Sequence, residues 1–368
     1  MKNVLRIYIV VFMLMAADLI VAQQNGSAKI PQVEIAGSQV LHINSQVVDQ
    51  EYDLYVNLPR NYSDTNRKFP VLFLLDAQWD FPLMQALYGE QYYDGLVPDI
   101  VIVGITWGGE NPNHDALRAR DFTPSDSAPT QTSGNAPKFL EFIKTELIPF
   151  VESNYRVTND RTIVGSSLGG LFTLYAMFNE TNLFSKYILT SPALQVGNGI
   201  LGEIEKSFSK KNSEINARLY MAIGGYEYVP MLQNFYDVLK SRNYKNLKIG
   251  YKVIDGIGHS GSKADGYSRG LIFAFERPDL KLDDSILKQY AGNYQITPGM
   301  SIKVTVENNQ LVALTPDNYK VILSAADESS FYMKGQYLKV DFIKDENNKV
   351  TGANLETYGG KQSLSKVE

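Results

Sequence analysis

The chain has 368 residues, 44% of them hydrophobic and 20% charged, enough for about two domains with a large buried core. A formal net charge of −5 offers no basic footprint for nucleic acid. Cysteine is absent, which excludes disulfide frameworks, thiolate metal sites and cysteine nucleophiles, and His42, His114 and His259 are all the imidazoles available.

Residues 1–22 read as an export leader. Lys2 and Arg6 precede an unbroken apolar run at 7–17, Asp18 closes it, and Ala22 offers a cleavage point before Gln23. The run is shorter than the roughly 20 residues of a membrane span, so a secreted or periplasmic protein without stable membrane insertion is expected. Residues 28–278 then alternate strand and helix. Segments 40–43 and 52–56 read as an opening hairpin, and short runs at 71–75, 100–105, 162–164, 187–189, 219–223 and 249–254 read as strands. Stretches at 137–153, 168–179, 230–241 and 264–276 read as helices. The alternation predicts an α/β fold, a mainly parallel sheet flanked by helices, with its chemistry at the carboxyl ends of the strands. Arg277, Pro278 and Asp279 break the pattern. Residues 279–368 carry short alternating strands with turns at 308–309 and 345–348, which predicts a small all-β antiparallel domain.

The segment GSSLGG at 165–170 holds the pattern G-x-S-x-G, centred on Ser167 between a β-type run and a helix-type run. Such a serine sits on a sharp strand-to-helix turn, where glycine neighbours avoid a Cβ collision, and serves as a nucleophile. It needs a base, and in this fold the partners follow in the order Ser, Asp or Glu, His. Only His259 follows Ser167. It lies past the strand at 249–254, in a loop loosened by Gly256 and Gly258 that can carry an imidazole over the sheet. Of seven carboxylates in between, Glu227 and Asp255 occupy strand exits. Glu227 is favoured, because Asp255 would need a tight local loop to meet a ring four residues on; a Ser–His dyad with another orienter is the alternative.

Two backbone N–H groups should hold the developing oxyanion. One is that of Leu168, at the start of the helix after the nucleophile, and the other that of Gln78, in the turn after the strand at 71–75. Trp79 reads as a rim or core aromatic. The loop at 107–134 should border the pocket, so Trp107 and His114, with Trp79, are candidates for substrate contact. Arg118 or Arg120 could attract an acidic group, although Arg120 and Asp121 read better as braces of the loop itself. His42, inside an opening strand, reads as structural.

Five segments together resemble the esterase D branch of the α/β-hydrolases: FPVLFLLDAQWDF (69–81), RARDFTPS (118–125), GSSLGG (165–170), IGGYE (223–227) and DGIGHS (255–260). That branch includes enterochelin-type siderophore esterases and feruloyl or acetyl-xylan esterases, and the resemblance covers about residues 30–278. It implies Ser167 as nucleophile, His259 as base, Glu227 as acid, and Leu168 and Gln78 as oxyanion donors. Ala77 stands where relatives usually carry Gly, and Glu227 where many carry Asp. The C-terminal segment, opened by YAGNYQI at 290–296, is similar to small β-domains appended to secreted bacterial serine hydrolases.

The expected function is a secreted serine carboxylic-ester hydrolase that works through an acyl-enzyme and needs no metal or organic cofactor. Glycan-linked acyl or feruloyl esters are the first expected substrates, and siderophore esters of the enterobactin type the second. An acyltransferase of the same fold is a rival. A non-catalytic glycan- or siderophore-binding protein is the rival from another class. Oligomeric state leaves no trace in the sequence.

Overall fold

Eight strands form the larger sheet: β1 (Ser38–Ser45), β2 (Gln50–Asn57), β3 (Phe69–Leu74), β4 (Val101–Trp107), β5 (Val157–Ser166), β6 (Lys186–Thr190), β7 (Glu214–Gly224) and β8 (Lys245–Ile254). Their spatial order in this computed structural model is β1-β2-β4-β3-β5-β6-β7-β8. The structure describes residues 34–124 and 134–367, so the leader expected at 1–22 lies outside the described residues. Pairings β1–β2 and β2–β4 are antiparallel, and all those from β4 through β3 to β8 are parallel. Parallel strands are covered on both faces, which is why VLFL and VIVGITW are continuous apolar runs and are buried throughout.

The covering helices are α1 (Ala77–Tyr93), α2 (His114–Phe122), α3 (Ala136–Phe142), α4 (Ile148–Asn154), α5 (Leu168–Asn179), α6 (Ile200–Ser209), α7 (Val229–Arg242) and α8 (Ser262–Ala274). A π-helical turn, Ile143–Leu147, joins α3 to α4. Helix α5 is buried at every position from Gly169 to Phe178, so the element that carries the nucleophile motif is also the most enclosed.

Two local expectations change. The turn expected at 76–79 is confined to Asp76, which takes a left-handed φ of 56°, and α1 begins at Ala77. Pro82 lies inside this helix, where its nitrogen cannot bond the Gln78 carbonyl. Ala77 replaces the usual Gly without strain: its backbone is helical, and its methyl packs where Gly104 of β4 leaves room. The loop expected at 107–134 contains α2, which Asn113 caps by accepting from the Ala116 N–H at 3.1 Å.

The C-terminal region is not all-β. It opens with α9 (Asp284–Tyr290), followed by β9 (Gly292–Thr297), β10 (Met300–Glu307), β11 (Gln310–Leu314), β12 (Lys320–Ala325), β13 (Ser330–Tyr332), β14 (Leu338–Lys344), β15 (Val350–Thr357) and β16 (Gly360–Val367). These strands close into an antiparallel barrel, β16 pairing back on β9, which leaves no free edge. The barrel has its own apolar core, around Tyr290, Tyr294, Phe331 and Phe342. Ser38 onward is one unit, and the barrel seats against the end of α1. The Tyr92 ring lies 5.1 Å from that of Tyr337, Tyr93 lies 4.8 Å from Tyr358, and the Arg60 guanidinium stands 4.2 Å over Tyr358. Helix α1 has 17 residues, so about 25 Å of helix separates this seam from the Asp76 turn at its other end.

Candidate active site

Ser167 joins β5 to α5 with φ 57° and ψ −117°, a conformation in which few residues other than glycine are found. The strain is held in place by backbone bonds: the Ser167 N–H donates to Thr190 O, and its carbonyl accepts from Leu171 and Ala193, each at 3.0 Å. Gly165 is required, because a Cβ there would lie 2.4 Å from the Gly169 carbonyl oxygen. Gly169 is less constrained. A Cβ on it would meet Asp76 Oδ2 at 3.4 Å, an ordinary contact that also shows how closely the Asp76 turn approaches the start of α5.

Glu227 and His259 come from neighbouring strand exits. The β7 exit can approach the histidine loop because residue 224 is glycine; a Cβ there would stand 2.5 Å from Ile257 O. Backbone bonds then tie the two loops, Gly225 N–H to Ile254 O at 2.8 Å and Tyr226 N–H to Ile257 O at 3.1 Å. This places His259 Nδ1 2.6 Å from Glu227 Oε2, while Asp255, the competing carboxylate, is solvent-exposed. The longer Glu side chain is accommodated by two donors to its other oxygen, Ser191 Oγ at 2.5 Å and Gly224 N–H at 2.8 Å. Burial pushes the Glu227 carboxyl up, but the bonds from Ser191, His259 and Gly224 outweigh it, and its pKa falls below the ordinary carboxylate value.

Two serines that the sequence reading passed over complete the arrangement. Ser191, just past β6 with φ 45°, also meets Ser262 Oγ at 2.7 Å, and Ser262 donates to the His259 carbonyl at 2.7 Å. Both serines are buried. One small polar network therefore holds the carboxylate and the backbone of the histidine. Its only sequence signal is the strand-exit position of Ser191.

Ser167, Glu227 and His259 line a common cleft of about 330 Å³, with Ser191, Gln195, Tyr228 and Met231. Leu168 and Gln78 occupy the first turns of α5 and α1, where N–H groups have no partner within the helix. The Gln78 carboxamide is enclosed without a hydrogen-bond partner among the described residues. Trp79 is 49% exposed, with the Arg118 guanidinium 5.6 Å from its ring, and does not line the cleft. His114 lies between Trp79 and Trp107, its ring 6.3 Å and 6.2 Å from theirs, and does not line the cleft.

Trp107 requires correction. It is 2% exposed, and its Nε1–H donates to Asp121 Oδ2 at 2.7 Å, so it belongs to the core and cannot touch substrate. It ends a fully buried strand, and the loop that follows wraps back over it. Asp121 also accepts from Tyr52 Oη at 2.7 Å and from Arg120 at 2.7 and 3.0 Å. Arg118 grips Asp76 through two bonds of 3.0 and 2.8 Å. Both arginines thus brace the segment 108–124 and are not free to receive an acidic ligand. His42, exposed on β1, pairs with Asp53 at 2.7 Å, far along the chain from the cleft residues.

A sheet in this strand order, with a serine on the strained elbow after β5 and a His–Glu pair at later strand exits, defines the α/β-hydrolase class. Residues 45–222 match the family model described as "Putative esterase". Residues 276–365 match a second model, a domain of unknown function. Ferri-bacillibactin esterase BesA of Bacillus subtilis is 32% identical over 175 residues, 44% of this chain and 60% of that protein. The siderophore enterobactin esterase of Emericella nidulans is 34% identical over 116 residues, 30% of this chain and 38% of its own. The alignments thus span less than two thirds of either relative. Among solved structures, an IroE-like serine hydrolase from Shewanella oneidensis superimposes with a TM-score of 0.58 at 26% identity, covering 69% of this chain and 85% of that one. The BES protein of Bacillus cereus, at 24% identity and a TM-score of 0.61 over 68% of this chain and 99% of that one, shares the fold.

Proposed function

We propose that this protein is a serine esterase that hydrolyses siderophore esters through an acyl-enzyme. The observation that carries the reading is the 2.6 Å contact between His259 Nδ1 and Glu227 Oε2 in the same cleft as Ser167. With Nδ1 held by the carboxylate, Nε2 is the ring nitrogen left to accept the Ser167 proton. Ser167 Oγ attacks the ester carbonyl carbon as His259 takes that proton, and the N–H groups of Leu168 and Gln78 receive the oxyanion. His259 then protonates the departing alkoxide. Water, deprotonated by His259, attacks the acyl-serine carbonyl; the C–Oγ bond breaks, Oγ regains a proton, and the free acid leaves. Glu227 stays ionised throughout and stabilises the imidazolium, a role that its lowered pKa supports.

Siderophore esters take precedence over the feruloyl and glycan esters of the sequence expectation, because relatives are named for siderophore substrates. The exposed rings of Tyr226 and Tyr228, flanking Glu227, offer flat surfaces for aromatic acyl groups. The leader expected at 1–22 would put this chemistry outside the cytoplasm, and the N-terminal residue of the exported protein tests it. A hydrolysis panel of an iron-loaded trilactone siderophore, methyl ferulate and acetylated xylan tests the substrate, and fluorophosphonate labelling tests Ser167. Labelling with preferred turnover of the siderophore is expected. An unlabelled Ser167 would overturn the mechanism, and preferred turnover of ferulate or xylan would overturn the substrate class.

A further inference from the structure

A cavity of about 130 Å³ lies inside the β9–β16 barrel and shares no lining residue with the Ser167 cleft. Ile302, Val304, Ala313, Leu323, Phe342 and Ala353 form much of its wall. Eight-stranded barrels are either filled by their own side chains or hold one small ligand. Packed interiors leave few voids larger than a water. Here the inward positions at Ala313 and Ala353 carry only methyl groups, and the space that larger side chains would fill is open.

The cavity has a floor and a mouth. Phe342 stacks on Tyr290 of α9 with centroids 4.5 Å apart, and Phe331 sets its edge against both at 5.5 Å, which closes the α9 end with aromatic rings. At the other end the inward residues Ile302, Thr315, Leu338 and Leu355 are only part-buried. Tyr337 and Tyr358, at the β13–β14 and β15–β16 turns of that end, pack against α1, whereas Met300 and Tyr319, on the β9–β10 and β11–β12 turns, are exposed.

The lining has nothing to offer a polar guest. Its two hydroxyls are already committed, Tyr294 to Tyr290 O at 2.8 Å, and Thr315 to Asp317 Oδ1 at 2.5 Å and Tyr319 O at 3.1 Å. A charged or strongly polar ligand would lose its water and gain no partner. An apolar cavity of this size stays dry and accepts a molecule such as benzene. We propose that the barrel is a binding site for a small uncharged hydrophobic group of about one aromatic ring's volume, admitted past Met300 and Tyr319. This site is independent of the esterase chemistry, and the seam at the far end of α1 sets it away from the nucleophile.

The test is a toluene titration of the full-length protein with alanine methyl groups labelled for NMR. Saturable movement of the Ala313 and Ala353 methyl resonances is expected, and benzoate, the same ring with a charge, should bind weaker by about tenfold or more. Ala353→Leu fills the space and should lower toluene affinity by about tenfold or more, with nitrophenyl-ester hydrolysis unchanged. Ala313 and Ala353 methyls that stay fixed in saturating toluene would overturn the proposal, as would an equal response to benzoate. Should Ala353→Leu fail to fold, the wild-type titration alone decides.

Discussion

Replacing Ser191 by alanine removes one of the two hydrogen bonds that Glu227 Oε1 receives, the 2.5 Å bond from the serine hydroxyl, and leaves the His259 contact formally intact. A hydrogen bond to a charged group contributes about 1.5–3 kcal/mol. If that is lost from the state in which His259 is an imidazolium, kcat/KM falls about ten- to hundredfold. A separate consequence appears in stability. The folded pKa of Glu227 lies below its unfolded value, so ionised Glu227 adds stability that is complete above the unfolded carboxylate range and is lost as pH falls through the folded value. Without Ser191 the folded value rises and that contribution shrinks. The variant should therefore be less stable than wild type by about 1.5–3 kcal/mol at neutral pH, with the gap narrowing in acid. Urea unfolding followed by tryptophan fluorescence across that range, with kinetics on a nitrophenyl ester, measures both. An unchanged kcat/KM, or a stability gap independent of pH, would refute the role assigned to Ser191.

Ser167→Ala and His259→Ala should each lower turnover by about a thousandfold or more while the protein stays folded by circular dichroism. Trp107→Phe leaves KM unchanged but costs about 1–2 kcal/mol in urea unfolding, since it deletes a buried donor to Asp121. Asp121→Ala strands the Tyr52 hydroxyl, the Trp107 N–H and the Arg120 guanidinium together, and should cost about 3–5 kcal/mol in urea unfolding.

The parts of the site legible in the sequence share one property: each stands at a position that a motif or the chain order singles out. Ser167 lies in a glycine-flanked motif, His259 is the one histidine downstream, and Glu227 follows a strand exit. Ser191 and Ser262 were not legible, because serines are common and their value arises only when three strand exits meet. Trp107 departs from expectation for a different reason. In the sequence it reads as the first residue of a loop, whereas it is the last residue of a strand buried on both faces, and its indole N–H is satisfied by Asp121, fourteen residues on. Alternation of strand and helix gave the α/β sheet directly, but periodicity cannot see that the C-terminal strands close on themselves, since closure rests on β9 meeting β16 across the whole domain.

The carboxylate and the imidazole are stitched to each other through the backbone of their own two loops, by Gly225 to Ile254 and Tyr226 to Ile257, and Ser191, which holds Glu227, sits between Thr190 and Ala193, two residues bonded to the Ser167 backbone. The relay is tied to the backbone of the elbow and not to the side chain at residue 167. An exchange at residue 167, such as Ser167→Cys, would therefore meet a relay already assembled, and the chemistry of the cleft can be altered at that side chain alone.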